Sequence, residues 1–273
     1  MVAQTQDETR ATTSRRRWWP ASLDSTLLGL ALVLIWEVGV RVGEVPVYLL
    51  PPPSTVLMRI AADYRLLFMH TIVTVNEVLV GFGLAIAVSI PLAAILAQFR
   101  PLERALYPIL VASQTIPKVA IAPLIVVWFG FGLFPKVLIA FLICFFPILI
   151  DALIGFRSTP KEVIWLARSM GAPRRRIFLN FQLPAALPHI FGGLKVASTL
   201  AVVGAVVGEF VASDRGLGYQ LIVANGMLDV ILSFAILVVL SVVGILLFAL
   251  VDLVERLLLP WHISHRSTGQ ERP

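Results

Sequence analysis

Two stretches of this chain, residues 78–97 and 231–250, each run for twenty positions without a charged side chain. Twenty helical residues rise about 30 Å, the thickness of a bilayer's hydrocarbon core. Four further stretches read the same way. Residues 105–134 carry only Lys118, and residues 190–208 only Lys195. Residues 137–150 are uncharged and continue past Asp151 to Phe156, while residues 23–40 hold Asp24 at one end and Glu37 near the other. Backbone groups in lipid must be satisfied internally, and the pattern lacks the alternation of a barrel strand, so the reading is six transmembrane helices. Composition agrees. Hydrophobic residues make up 58% of the 273 and charged residues 14%, against roughly 25% charged in a soluble domain. That balance excludes an ordinary soluble enzyme, a disordered chain and a nucleic-acid-binding domain, despite the net charge of +6.

The basic residues instead set orientation. With the N-terminus inside, fifteen of the 22 Lys and Arg fall in cytoplasmic segments and five in outer ones, so the expectation is N-in and C-in. Arg15, Arg16 and Arg17 followed by Trp18 and Trp19 suit a cytoplasmic anchor with an aromatic belt, and the first span does not read as a cleaved signal. The expected layout is a cytoplasmic tail (1–22), a transmembrane domain (23–258) and a second cytoplasmic tail (259–273), with both polar ends disordered. After Pro51-Pro52-Pro53, Ser54 is placed to cap a short interfacial helix on the outer surface, running through Arg65. The single cysteine, Cys144, sits in an apolar run and reads as a buried small hydrophobe, with no disulfide and no metal cluster. His262 and His265 lie in the polar tail without partners for a metal.

The most informative segment lies between the fourth and fifth spans. Pro160 suits a first helical turn, and Glu162 favours the positive helix N-terminus. Val163, Ile164, Ala167 and Met170 recur at helical spacing, and Gly171 is a helix stop. After Ala172 and Pro173, a second short helical piece is expected from Arg174 to Leu183, with Pro184 and Pro188 breaking the chain before the next span.

This segment resembles the cytoplasmic "EAA" loop of ABC importer permeases. Gly171, nine intervening residues, then Phe181, Gln182, Leu183 and Pro184 keep that family's spacing, and Ala167 matches its second alanine. Trp165 and Leu166 stand where the family has Glu and Ala, and Phe181 replaces Ile. The resemblance extends over residues 25–258. Leu50 to Ser54, residues 74–83, Ala122-Pro123-Leu124 with Trp128-Phe129-Gly130, and Glu209 with Gly216-Leu217-Gly218-Tyr219 are similar to the nitrate/sulfonate/taurine-type branch. That branch includes relatives for pyrimidine precursors and riboflavin. The resemblance implies an all-α inner-membrane permease of a bacterium, surrounded by lipid and needing no cofactor. It implies two permease copies, two cytoplasmic ATPases, and a periplasmic or lipid-anchored binding protein that delivers a small solute. Residues 157–188 would form the loop that couples to the ATPase. Its contact residues would be Glu162, Trp165, Ala167, Arg168, Gly171, Ala172, Pro173, Leu183 and Pro184.

Two alternatives stand beside this reading. A secondary transporter would work without an ATPase and favour repeated halves, which the sequence lacks. An intramembrane enzyme would need a reactive pair within the spans. No Gly-Lys dipeptide offers an ATP phosphate loop, and no His-Glu-x-x-His or Gly-x-Ser-x-Gly occurs, so the chain is expected to be non-catalytic. Intramembrane polar residues are candidates to line a path. They are Ser113, Gln114, Thr115 and Lys118 near Pro117, and Lys195, Ser198, Thr199 and Glu209 in the fifth span, with Asn76 and Glu77 in the second. Lys118 and Lys195 either meet solute or pair with a carboxylate or interface. Gly204 and Gly208 form a small-xxx-small face that fits either a dimer contact or packing within one chain.

Overall fold

A computed structural model describes residues 21–260, with side chains described from Thr26 onward. It contains no strand among the described residues. The helices are α1 (Ala21–Val42), α2 (Pro53–Ala62), α3 (Tyr64–Gln98), α4 (Arg100–Gln114), α5 (Lys118–Phe129), α6 (Leu133–Arg157), α7 (Lys161–Ser169), α8 (Arg174–Ile177), α9 (Leu183–Ala212), α10 (Leu217–Gly226) and α11 (Val230–Leu258). The tails expected at 1–22 and 259–273, with Arg15 to Trp19, His262 and His265, lie almost wholly outside the described residues.

Four segments are long and apolar enough to cross a membrane: α3, α6, the continuous helical stretch from Arg174 to Ala212, and α11. The expected third span is not one rod. It is α4 and α5, bent by 95° across a short break, and counts as one broken span at most. The cause is local: Pro117 removes a backbone donor and disfavours helix at Ile116, so α4 ends at Gln114 and a new helix starts at Lys118. Among the described residues four segments qualify by length and composition, or five with the bent pair. The first stretch does form a helix, α1, of 22 residues.

Helices α6 and α9 form the centre of the protein, with α3 packed on both and α11 on α9. Their approach is close because small residues face backbone. A Cβ on Gly204 would lie 2.7 Å from Ala140 Cα, and one on Gly208 would lie 2.9 Å from Lys136 Cα. Gly193 sits against Asp151 and Pro147, and Gly155 against Ala186 and His189. These pairs keep one antiparallel register from Lys136 to Gly155, about 30 Å at 1.5 Å per residue. Gly204 and Gly208 therefore pack within one chain. Gly81 of α3 meets Ala140 from another side, and Cys144 is fully buried beside the Ala197 carbonyl.

Two expectations about helix ends need correction. Ser54 is not a cap: its hydroxyl donates to Glu37 Oε1 (2.8 Å) and its backbone N–H to Oε2 (3.0 Å), which ties α2 to α1. The interfacial helix ends at Ala62, and residues from Tyr64 already belong to α3. Pro184 and Pro188 do not break the chain either. A π-helical turn at Phe178–Gln182 runs straight into α9 just before Pro184, so the helix continues from Arg174 to Ala212 despite the missing donor.

Gly204→Val should overpack the α6–α9 contact and cost about 1–3 kcal/mol. Thermal unfolding in detergent should show a clearly lower midpoint, while Gly192→Ala, whose Cβ would meet nothing within 4 Å, should leave the midpoint unchanged.

Candidate functional site: the α7 knob and the polar groups between the spans

The turn of the α6–α9 hairpin carries α7, α8 and the π turn. Helix α7 ends in a Schellman cap: Ala172 N–H donates to Ala167 O (3.0 Å) and Gly171 N–H to Arg168 O (2.9 Å). Gly171 has φ +78°, a conformation open to glycine at little cost. The two faces of α7 differ. Ala167 is buried, with Val163 and Ile164 half-buried beside it, which anchors the helix to the body. Trp165 (62% exposed), Leu166 (63%) and Met170 (79%) point away from it. Met170 was expected to share a helical spacing with Val163, Ile164 and Ala167, but it is the C-cap residue and is exposed where they are buried or half-buried. Glu162, Arg168 and Pro173 are exposed, Ala172 half-buried, and Leu183 and Pro184 half-buried at the base of α9.

Three large apolar side chains at the tip of a short helix form an exposed patch that suits a partner surface. The base is stiff. Phe156 at the end of α6 stacks on Phe178 of the π turn (5.4 Å between centroids), and Ile177 is buried. Arg157 pairs with Glu103 of α4.

At the opposite end of the hairpin lies a buried polar network. Lys136 pairs with Glu77 and donates to Ser213 Oγ (3.0 Å). Three successive backbone N–H groups at the start of α10 find side-chain acceptors on other helices. Gly216 donates to His70 Nδ1 (2.9 Å), Leu217 to Thr74 Oγ1 (2.8 Å) and Gly218 to Glu209 Oε2. Thr74 in turn donates to Glu209 Oε1 (2.6 Å), and the Gln220 amide lies 2.8 Å from His70 Nε2. The otherwise orphan donors of α10 are thus capped from α3 and α9, with a carboxylate at the positive helix end. A Cβ on Gly216 would collide with the Glu209 carboxylate, so the Gly216-Leu217-Gly218 spacing serves this cap.

The candidate path residues therefore separate. Glu209 is 1% exposed and fully engaged, so it is a structural group and not a lining one. Ser198 is likewise buried, donating to the Lys195 carbonyl (2.7 Å). Glu77 is buried against Lys136, and Lys195 pairs with Asp252 (2.6 Å) and Glu255 (2.5 Å) of α11. Charges in an apolar medium need such partners. Thr199 is exposed and lines an apolar groove of about 510 Å³ between α9 and α11. Ser113, Gln114, Thr115 and Lys118 come together at the α4–α5 bend. Gln114 and Thr115 are exposed, and Lys118 is half-buried with its ammonium 4.6 Å from the Phe146 ring centre. Sequence reasoning missed His70, Thr74 and Gln220, because ordinary polar residues at the ends of apolar runs carry no spacing signal.

A hairpin of long apolar helices with an exposed apolar knob at its turn is the architecture of a helical membrane protein. Residues 89–260 match the family described as binding-protein-dependent transport system inner membrane component. The chain is 43% identical to the riboflavin transport system permease protein RibX of Chloroflexus aurantiacus, over 93% of this chain and 96% of that one. It is 40% identical to the formylaminopyrimidine transport permease protein ThiX of Halalkalibacterium halodurans (88% and 96% covered). It is 30% identical to the taurine transport system permease protein TauC of Escherichia coli (91% and 94% covered). Among solved structures, the MetNI methionine ABC transporter in an inward-facing form matches at TM-score 0.61 and 21% identity, covering 71% of this chain and 97% of that one. The chain belongs to the binding-protein-dependent inner-membrane transport family, and it is an ABC importer permease.

Lys136→Met should strand Glu77 without a counter-charge and destabilise the folded permease by about 3–5 kcal/mol. Adding Glu77→Gln should restore most of the loss in the same detergent unfolding assay.

Proposed function

We propose that this permease works as a symmetric pair with two cytoplasmic ATPases and an external binding protein, and that α7 is the element the ATPases move. The observation that carries this is the exposed Trp165, Leu166 and Met170 patch on a capped helix at the turn of a tightly packed hairpin. A flexible loop would absorb a push, whereas a knob held by Ala167, Ile177 and the Phe156–Phe178 stack passes it to α6 and α9. Rigid-body rocking between inward- and outward-facing states is the motion such a connection supports. The proposed topology is N-in and C-in, with six spans, α1 being the first and the α4–α5 pair the broken third. The 1–22 and 259–273 tails and the 157–188 coupling loop are then cytoplasmic, and the α10 cap lies on the outer side.

The solute path is proposed at the α4–α5 bend, where Ser113, Gln114, Thr115 and Lys118 gather at a break in the helix. The proposed solute class is a nitrogen heterocycle, a flavin or a pyrimidine precursor. The support is that relatives named for such solutes reach 43% and 40% identity, while the taurine permease stands at 30%. Uptake of labelled riboflavin and formylaminopyrimidine, but not taurine, by cells carrying the complete transporter would agree. Uptake of taurine alone would reverse the assignment.

Two variants test the coupling role. Gly171→Val forces a β-branched side chain into positive φ, a strain of about 1–3 kcal/mol that should melt the α7 cap. Membrane insertion should be normal while ATP hydrolysis no longer drives uptake. Trp165→Ala should weaken recovery of the ATPase with the permease by about 2 kcal/mol, the loss typical of an interface anchor. Unchanged uptake and recovery in both would refute the coupling role.

A further inference from the structure

Beside the knob, on the side away from its apolar tip, the α3–α4 turn and α7 enclose a recess of whose lining residues only Arg168 belongs to the expected ATPase contacts. It consists of two cavities of about 590 and 450 Å³ that share Ala97, Arg100, Ile164 and Gln182 in their walls. Six cationic side chains line it: Arg100, Arg104, Arg157, Lys161, Arg168 and Arg174. The one acidic side chain in its walls, Glu103, is engaged by Arg157. Among the described residues, the side chains of the other five cations make no ion pair or hydrogen bond. Five unpaired cations lining one concave surface raise the local positive potential and favour an anion from outside the chain.

The surroundings narrow the chemistry. Tyr107, Pro108 and Phe156 give the recess an apolar floor. Val111, one turn beyond Tyr107 on the same face of α4 and 40% exposed, continues an apolar strip away from it. A ligand that fits both parts carries a compact negative head and apolar tails. A soluble anion would leave the strip bare, and an acidic partner protein would meet the Trp165 tip before reaching behind it.

We propose that this recess binds the phosphate of an anionic phospholipid of the cytoplasmic leaflet, with its acyl chains laid along α4. Basic pockets next to spanning helices on the cytoplasmic side select such headgroups. The bound lipid neutralises cations that otherwise repel one another between α4 and α7, and so braces the knob against the bundle. The placement in the cytoplasmic leaflet rests on the proposed topology.

The test uses the complete transporter, permease with its ATPase, in nanodiscs of equal phosphatidylglycerol and phosphatidylcholine. Native mass spectrometry counts the lipids that stay bound after release. The wild type should retain phosphatidylglycerol over phosphatidylcholine at least about fivefold, a preference worth ~1 kcal/mol by the tenfold-per-1.4 kcal/mol rule. Arg100→Gln with Arg104→Gln should bring the ratio to that of the disc. Arg215→Gln, exposed and at the other end of the hairpin, should keep the wild-type ratio. Equal ratios in wild type and the double variant overturn the proposal. So does loss of the bound lipid to millimolar inorganic phosphate, which would make this a soluble-phosphate site. Labelling of Gln98→Cys with an impermeant maleimide reports the side of the membrane separately. Labelling from outside would refute the topology while leaving the lipid count to decide the site.

Discussion

Backbone-to-backbone contact between α6 and α9 is the interaction on which the rest of this protein depends. Lipid tails are as apolar as leucine, so burial alone gives two spanning helices little reason to associate. Close packing does. Gly208, Gly204, Gly193 and Gly155 each remove a side chain where the other helix would collide, at four points in one register. The hairpin is thereby fixed in depth and rotation over the thickness of the bilayer. Ala140 shows how little slack remains, being caught between Gly204 of α9 and Gly81 of α3.

What hangs on the two ends of this hairpin follows from that stiffness. At one end, α7 is a capped helix with its small residue inward and its large apolar residues outward. At the other, Lys136 and Glu209, one from each helix, reach into a network that holds α3 by Glu77 and Thr74 and holds the start of α10 by its own backbone donors. The charges between the spans serve as fasteners in this way. Lys195 with Asp252 and Glu255 fastens α11 to α9, and Arg59 with Asp229 fastens α2 to the start of α11 (2.7 Å). Ser113, Gln114, Thr115 and Lys118, which fasten no pair of helices by an ion pair, gather at the α4–α5 bend, whose α4 arm meets little but α3.

The long apolar runs made the helices legible, because hydrocarbon thickness allows few alternatives, and Gly171 was legible as a stop because positive φ favours glycine. The Gly-Leu-Gly spacing after Glu209 was visible but not its meaning, which depends on a carboxylate nine residues earlier in the chain and a threonine on another helix. The bend at Pro117 was not foreseen, because residues 105–134 read as one apolar stretch. A proline looks the same in sequence whether it ends a helix, as Pro117 does, or rides within one, as Pro108 and Pro188 do. Glu209 and Ser198 were misjudged for a related reason. A polar residue in a span looks the same in sequence whether it faces a path or a partner.

The central claim is that knob and outer cap move as one body. Spin labels at Met170→Cys and Asp214→Cys, placed in a single permease copy of the assembled transporter, measure the distance along the hairpin. A pair of labels at Met170→Cys, one in each copy, measures the distance between knobs. Between the nucleotide-free and vanadate-trapped states, the account predicts superimposable distributions along the hairpin and a shifted distribution between the knobs. A shift along the hairpin as large as that between the knobs would contradict it.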